Sequence, residues 1–500
     1  MLLAALTLAP IDWAVVTLFI AGILVLGLSA RLRDSSVLQY LAAGRNLSLT
    51  AFVATLVSTW YGGILGVGES VSYFGFGAWL LIGVPYYVFA VAYALWLAPK
   101  VREADQISIP ERIAMRWGKK SGVLAGALIF LLAIPAAHVL MLGVLLQEFT
   151  GLDRTVAVSI AAIAGIALLY KGGLFADVRV SLLAFVMMYV GFACMALFCF
   201  LNYPPAATFQ SIENKSLLTF TGGAPWTAIV SFFILGAWTL VDPAFHQRAA
   251  SARTPETSRK GILISVGFWF LFDLLSIGSA MYAIALLKPL PEKLAFYPAL
   301  AEKVLPPGLK AIFLCGILGT VATAMVGYTL VSGATLGREI LGRLKGTSDD
   351  KTIKSWIRIG LVVAMAVAVP LGLSINSVVD LWYAWAGVAI GALLIPVLGS
   401  YASGRDGSRD GGTTFWAMLI AATSSMVWLI YGQRTNNPFL DVVLLKLDGK
   451  WKLMLPPVPE TLKATETITY SLGTLLPGLV ISAVILSAGW IAQRRNRHDG

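Results

Sequence analysis

Four ionisable side chains, Glu69, His138, Asp242 and Asp273, stand inside long apolar runs. A charge at membrane depth is costly and marks a solute or ion pathway by default. Two of the acids adjoin helix breakers. Gly62-Gly63 interrupts the apolar run from Leu47 to Gly77 ahead of Glu69, and Pro243 follows Asp242 in SFFILGAWTLVDPAFHQR. Lipid cannot satisfy an interrupted backbone, so such a break must line a cavity or pack against protein. Its freed carbonyls can replace the water around a small cation, and the half-helix that begins there attracts anionic groups. Glycines that only let two helices approach are the alternative reading of Gly62-Gly63. Tryptophans stand close by, Trp60 at the first break and Trp238 at the second, and aromatic faces attract an ammonium. Enzymatic chemistry has no comparable support. His138, His246 and His498 are scattered, and Cys194, Cys199 and Cys315 sit in apolar stretches without metal-ligand or disulfide spacing.

The elements that must position these residues are membrane helices. Across 500 residues, 58% are hydrophobic and 13% charged, with a mean hydropathy of +0.80. That composition excludes a soluble domain and predicts an all-α polytopic membrane protein. Apolar runs predict thirteen spans, at 11–29, 47–75, 77–99, 121–147, 154–171, 179–202, 224–247, 260–287, 308–341, 356–374, 376–400, 414–432 and 468–492. The broken helices start five spans apart and run in opposite directions, the mark of an inverted repeat around a midplane site. The chain then divides into an extra helix (1–40), a first repeat (41–202), a loop (203–223), a second repeat (224–400) and two further helices (401–500) with a loop at 433–467. In that loop, Phe439 to Leu455 turns at Asp448-Gly449, which suits a β-hairpin. Asp12 and the lack of a basic n-region predict a retained first helix. With the N-terminus outside, 26 Lys and Arg fall on the inner side and 11 on the outer, as the positive-inside rule expects. The expected location is a bacterial cytoplasmic membrane. The net charge of +11 reflects this bias toward anionic lipid, with no patch suited to nucleic acid.

Motifs in order along residues 40–400 resemble those of the sodium/solute symporter family. They are Ala43-Gly44-Arg45-Asn46-Leu47-Ser48, Ile109-Pro110-Glu111-Arg112 with Arg116-Trp117-Gly118, Tyr170-Lys171-Gly172-Gly173-Leu174-Phe175, and Phe245-His246-Gln247-Arg248. Ser58 to Gly63 and Asp380 to Tyr383 are most similar to high-affinity choline transporters. The resemblance implies a leucine-transporter-type 5+5 inverted repeat and solute uptake coupled to sodium. It also implies a sodium site made by carbonyls of Ser58 and Tyr61 with Thr320 and Thr323 on the eighth core helix, an oxygen set suited to a hard cation. Ala324 lacks a hydroxyl that family members usually carry. A family Thr-Asp pair is replaced by Val180-Ser181, with Asp177 one turn earlier beside Arg179, where it reads as a solvated or paired interfacial charge.

The combined reading is a secondary transporter coupling a cation, sodium by resemblance, to a small organic solute of amine or zwitterionic type. Its solute site is expected from Trp60, Gly62, Gly63, Glu69, His138, Trp238, Asp242 and Trp382, with no organic cofactor. A proton-coupled or uncoupled facilitator and a transporter-like sensor stay open, because the sodium motif departs at Ala324 and Ser181.

Overall fold

The computed structural model describes residues 6–374, 377–381, 386–402, 411–437, 440–447, 449–456 and 466–498. Eleven of the described helices are long and apolar enough to cross a membrane. They are α1 (Pro10–Leu28), α2 (Leu49–Phe74), α3 (Trp79–Glu103), α4 (Lys119–Thr150), α5 (Arg154–Gly172), α6 (Leu174–Asn202), α7 (Trp226–Ser251), α8 (Pro255–Leu286), α9 (Leu309–Lys345), α10 (Asp350–Ser374) and α12 (Gly411–Arg434). Two further helices with shorter apolar stretches complete the predicted set, α11 (Gly387–Tyr401) and α13 (Leu475–His498), the latter apolar over Leu475–Ile491.

Burial separates the helices by role. In α2, α4 and α9 more than four-fifths of the apolar window is buried (89%, 83% and 83%), whereas α1 buries only 28%. The first three therefore form the centre. Around them, α2, α3, α7 and α8 pack on one another, and α4, α5, α9 and α10 form a second group. Helix α6 runs along α9 and also touches α2 and α8, so it bridges the groups. The segment Val378–Leu381, ahead of α11, rests on the second half of α2.

Both predicted breaks are present. Helix α2 tightens into a single narrow turn at Tyr61–Gly63, between Leu49–Trp60 and Ile64–Phe74. Helix α7 narrows over Gly236–Leu240 and restarts at Pro243. Proline has no amide to donate, and the Asp242 carboxylate caps the new helix by accepting from the Phe245 amide at 2.8 Å. A third interruption, at Ile134-Pro135 in α4, sets the position of His138 at the start of the next helical stretch.

Among the described residues, β1 (Asp441–Leu447), β2 (Lys450–Met454) and β3 (Glu466–Ser471) form an antiparallel sheet in the order β2-β1-β3. The β1 and β2 pair is the predicted hairpin, and Gly449 in its turn has φ +77°. Strand β3 corrects the predicted last span, which starts at Leu475 instead of 468. The β-prone run Glu466 to Ser471 pairs with β1 and leaves the helix to begin after Gly473.

Asp12 does not lie free at the chain's start. It is fully buried, accepting from the Ala9 amide at 2.9 Å and from the Gly308 amide at 2.7 Å, and so pins the start of α1 to the start of α9. Replacing it orphans both amides, so Asp12→Ala is expected to cost about 1–2 kcal/mol. The check is a lower thermal midpoint of purified protein in detergent, with Asp12→Asn falling between the variant and wild type.

Candidate functional site

The two breaks face one central cavity of about 140 Å³. Six tryptophan and tyrosine side chains stand on its otherwise largely aliphatic wall. Trp60 and Tyr61 come from the α2 break, Tyr86 and Tyr87 from α3, Trp238 from the α7 break and Tyr328 from α9. Their rings brace one another. Trp60 stacks on Trp269 at 5.1 Å and meets Tyr86 edge-on at 5.0 Å, while His138 lies flat against Tyr328 at 5.1 Å and 17°. Asp273 is the one carboxylate on the described wall, and neither lysine nor arginine lines it.

Asp273 lies halfway along α8 and is 6% exposed. The Tyr61 hydroxyl donates to its Oδ1 at 2.7 Å and the Tyr87 hydroxyl to its Oδ2. A carboxylate accepts about four hydrogen bonds, so these two leave capacity for a donor in the cavity. Asp242 is arranged differently. Its carboxylate accepts from Trp238 Nε1 at 3.1 Å, from the Tyr328 hydroxyl at 2.8 Å and from the Phe245 amide. It stands behind the wall and holds two wall aromatics in place.

The helices that carry the expected cation ligands touch, the break of α2 pressing on α9. Thr323 donates its hydroxyl to the Thr320 carbonyl at 2.9 Å, and its oxygen lone pairs stay available to a cation. With the Ser58, Tyr61 and Thr320 carbonyls this is an all-oxygen, uncharged set that fits sodium in type. The absent hydroxyl at Ala324 has a steric counterpart in Gly62. A Cβ placed on Gly62 would lie 1.8 Å from the Ala324 Cβ, so the small pair lets the break seat directly on α9.

Asp177 corrects the sequence expectation of an interfacial charge. It is fully buried and pairs with Arg248 at 2.9 Å, and Arg248 Nη2 also donates to Thr59 Oγ1 at 2.8 Å. Arg179 turns away to Ser29. The sequence neighbour lost to a residue on another helix because Arg248 projects into the same dry space.

Of the predicted solute residues, Trp60, Gly63, His138 and Trp238 line the cavity. Gly62, Glu69 and Asp242 are not on its wall: Gly62 faces α9, Asp242 lies behind, and Glu69 reaches Ser377, Val378 and Val379. Trp382 lies outside the described residues. Sequence reasoning did not assign Tyr86, Tyr87 or Tyr328 to the site; it marked Asp273 as a pathway candidate but left it out of the expected solute set. A signal existed for Tyr328, which sits four residues after Ala324 and so on the same helix face.

A helix pair broken at mid-depth around one cavity defines a transporter of the leucine-transporter fold, not an enzyme. The structure is similar to that of a sodium-coupled sialic acid symporter in its substrate-bound outward-open state, at 12% identity and a TM-score of 0.70, covering 86% of this chain and 93% of that one. It is also similar to Mhp1, a nucleobase-cation-symport-1 family transporter solved closed with bromovinylhydantoin, at 14% identity and a TM-score of 0.52, covering 91% and 95%. No curated protein sequence matches the chain. The model of the sodium:solute symporter family matches residues 40–407, and the chain belongs to that family.

The close seat of Gly62 on Ala324 makes a paired prediction. Gly62→Ala should lower the thermal midpoint clearly, and the double variant Gly62→Ala with Ala324→Gly should recover most of the loss, because it removes the opposing methyl. Additive losses in the double variant would contradict the contact.

Proposed function

We propose that this protein is a sodium-coupled symporter of a small amine or zwitterion, which binds in the central cavity with its ammonium toward Asp273. The carrying observation is the charge of the wall: one buried carboxylate, no described lysine or arginine, and aromatic faces on several sides. A cation is favoured there by Coulomb attraction and by the ring quadrupoles of Trp60, Trp238 and the tyrosines. Asp273 supplies the carboxylate that pairs with the ammonium, and Asp242 keeps Trp238 and Tyr328 in register.

Sodium, carried as co-substrate, would be held by Ser58, Tyr61, Thr320 and Thr323. Family membership and the uncharged oxygen set both support it. Cation binding ties the α2 break to α9, and the same break carries Trp60 and Tyr61 into the cavity wall, so ion and solute stabilise one arrangement. Each can shift the conformational balance only through unequal affinity for the states, and the coupling is reciprocal. The excess of Lys and Arg on alternate loops supports an N-terminus outside and a C-terminus inside a bacterial cytoplasmic membrane, with repeats over 41–202 and 224–400.

The test is uptake of a radiolabelled amine panel into proteoliposomes under an inward sodium gradient. Accumulation is expected for at least one amine or zwitterion. Thr323→Ala should raise the sodium concentration needed for half-maximal uptake at least tenfold, and Asp273→Asn should abolish amine binding while leaving sodium binding in place. Uptake indifferent to sodium but driven by a proton gradient would overturn the ion assignment, and uptake of sugars or carboxylates alone would overturn the solute class.

A further inference from the structure

Strands β1, β2 and β3 lie beyond the stretch that the family model matches, so the sheet they form is a feature of this chain. Successive residues of a strand point to opposite faces, and the pairing decides which residues share one. Leu444 stands between Leu453 of β2 and Ile468 of β3, and Lys446 between Trp451 and Glu466, so all six lie on one face, with Val442 beside Tyr470. On the other face, Val443 and Leu445 are buried by the protein. The first face is not closed in that way. Among the described residues, Leu453 is 66% exposed, Trp451 45%, and Leu455, next on that face, 39%.

The sheet stands at the level where the membrane begins. Helix α7 is of membrane-spanning length and apolarity and starts at Trp226. Strand β3 packs along its first turns: Tyr470 meets Trp226 edge-on at 5.8 Å, and the Ser231 hydroxyl donates to the Ser471 carbonyl. Trp226 to Ser231 is about 7.5 Å of helix, so Ser471 lies down the side of the span and not above its end. The chain ends β3 at Ser471 and enters the apolar helix α13 at Leu475. On α7, Trp226, Val230 and Phe233 are exposed, and on a membrane span such side chains face lipid. Tyr470 belongs to the uncovered face of the sheet. Its contact with Trp226 joins that face to the lipid-facing side of α7.

We propose that this face docks on the bilayer, with Trp451, Leu453 and Leu455 seated at the acyl boundary of the leaflet on that side. Polarity along the face fits the placement. It is apolar where Val442 and Tyr470 lead to α7, and polar toward the turn at Gly449, where Lys446 pairs with Glu466 at 2.8 Å and lies 5.7 Å from the Trp451 ring. Tryptophan is the side chain enriched where hydrocarbon meets headgroups. Lys450 and Lys452 are exposed on the opposite face, so with the apolar face down their ammonium groups stay among headgroups and water, where anionic lipid attracts them. Depth is limited by the backbone. Strands β2 and β3 are the edges of the sheet, and open edges do not occur in hydrocarbon, so the sheet lies in the interface without entering the core. A second copy of the chain is a poorer occupant: pairing two β2 edges would set Lys450 and Lys452 against their own counterparts, and like charges across strands repel. Docking gives the start of broken helix α7 a membrane anchor through β3.

The test measures depth and needs no solute. Full-length protein with Cys194, Cys199 and Cys315 replaced by alanine receives one cysteine carrying a nitroxide, by Leu453→Cys, Lys450→Cys, Lys452→Cys or Val484→Cys. Val484, exposed on α13, serves as the lipid-facing reference. Each variant is placed in nanodiscs of phosphatidylcholine with phosphatidylglycerol, and power saturation compares collisions with oxygen, which enters lipid, and with a neutral nickel chelate, which stays in water. At 453 oxygen is expected to outweigh the chelate roughly threefold or more, with a larger ratio at 484, because the docking is shallow. At 450 and 452 the chelate should prevail. A chelate-dominated label at 453 would place the face in water and overturn the proposal. So would a label at 453 reached by neither collider, which would mean that protein covers the face. A spectrum at 453 broadened by a second spin, and sharpened on mixing with unlabelled protein, would assign the face to a second copy and also overturn it. The lipid signature at 484 shows in each case that the protein is folded and inserted.

Discussion

The structure depends on one constraint, the absence of water at the middle of the membrane. Every backbone group freed by a break, and every charge placed there, must find its partner within the protein. Breaking α2 at Tyr61–Gly63 and α7 at Gly236–Asp242 creates the needs that the rest of the molecule meets. Asp242 caps the second half of α7, α9 presses against the first break at Ala324, and Arg248 takes up Asp177. The cavity is what remains between helices that had to come together for these reasons.

Around that cavity the buried carboxylates have separate tasks because their surroundings differ. Asp242 accepts three hydrogen bonds from protein donors and has become part of the scaffold. Asp273 accepts two, from tyrosines that also form the wall, and keeps a side turned to the cavity. Asp177 is balanced by a guanidinium and belongs to neither group. The number and charge of the partners sorted them.

The departure at Ala324 reads differently once the helices are in place. As sequence it is a missing oxygen. In the folded chain it is the methyl on which Gly62 rests, and a bulkier residue on either side would part α2 from α9. The seat of α2 on α9 then rests on the tight packing of small residues, a common means of bringing membrane helices together.

The sequence by itself determined the class, the approximate spans, both breaks and the hairpin at 441–454, because hydropathy, glycine, proline and turn residues act over short distances. It also marked Trp60, Gly63 and Trp238 for the cavity wall, since each lies at or beside a predicted break, and His138 because it is ionisable within an apolar run. Tertiary structure decided what no local pattern encodes. It moved Glu69 and Asp242 off the wall, made Asp273 the wall's carboxylate, paired Asp177 with Arg248 across 71 residues, and added β3 to the hairpin. The physical reason is that an ionisable side chain in a dry interior is defined by its partner, and the partner is chosen by helix rotation and packing, which spacing along one helix does not fix.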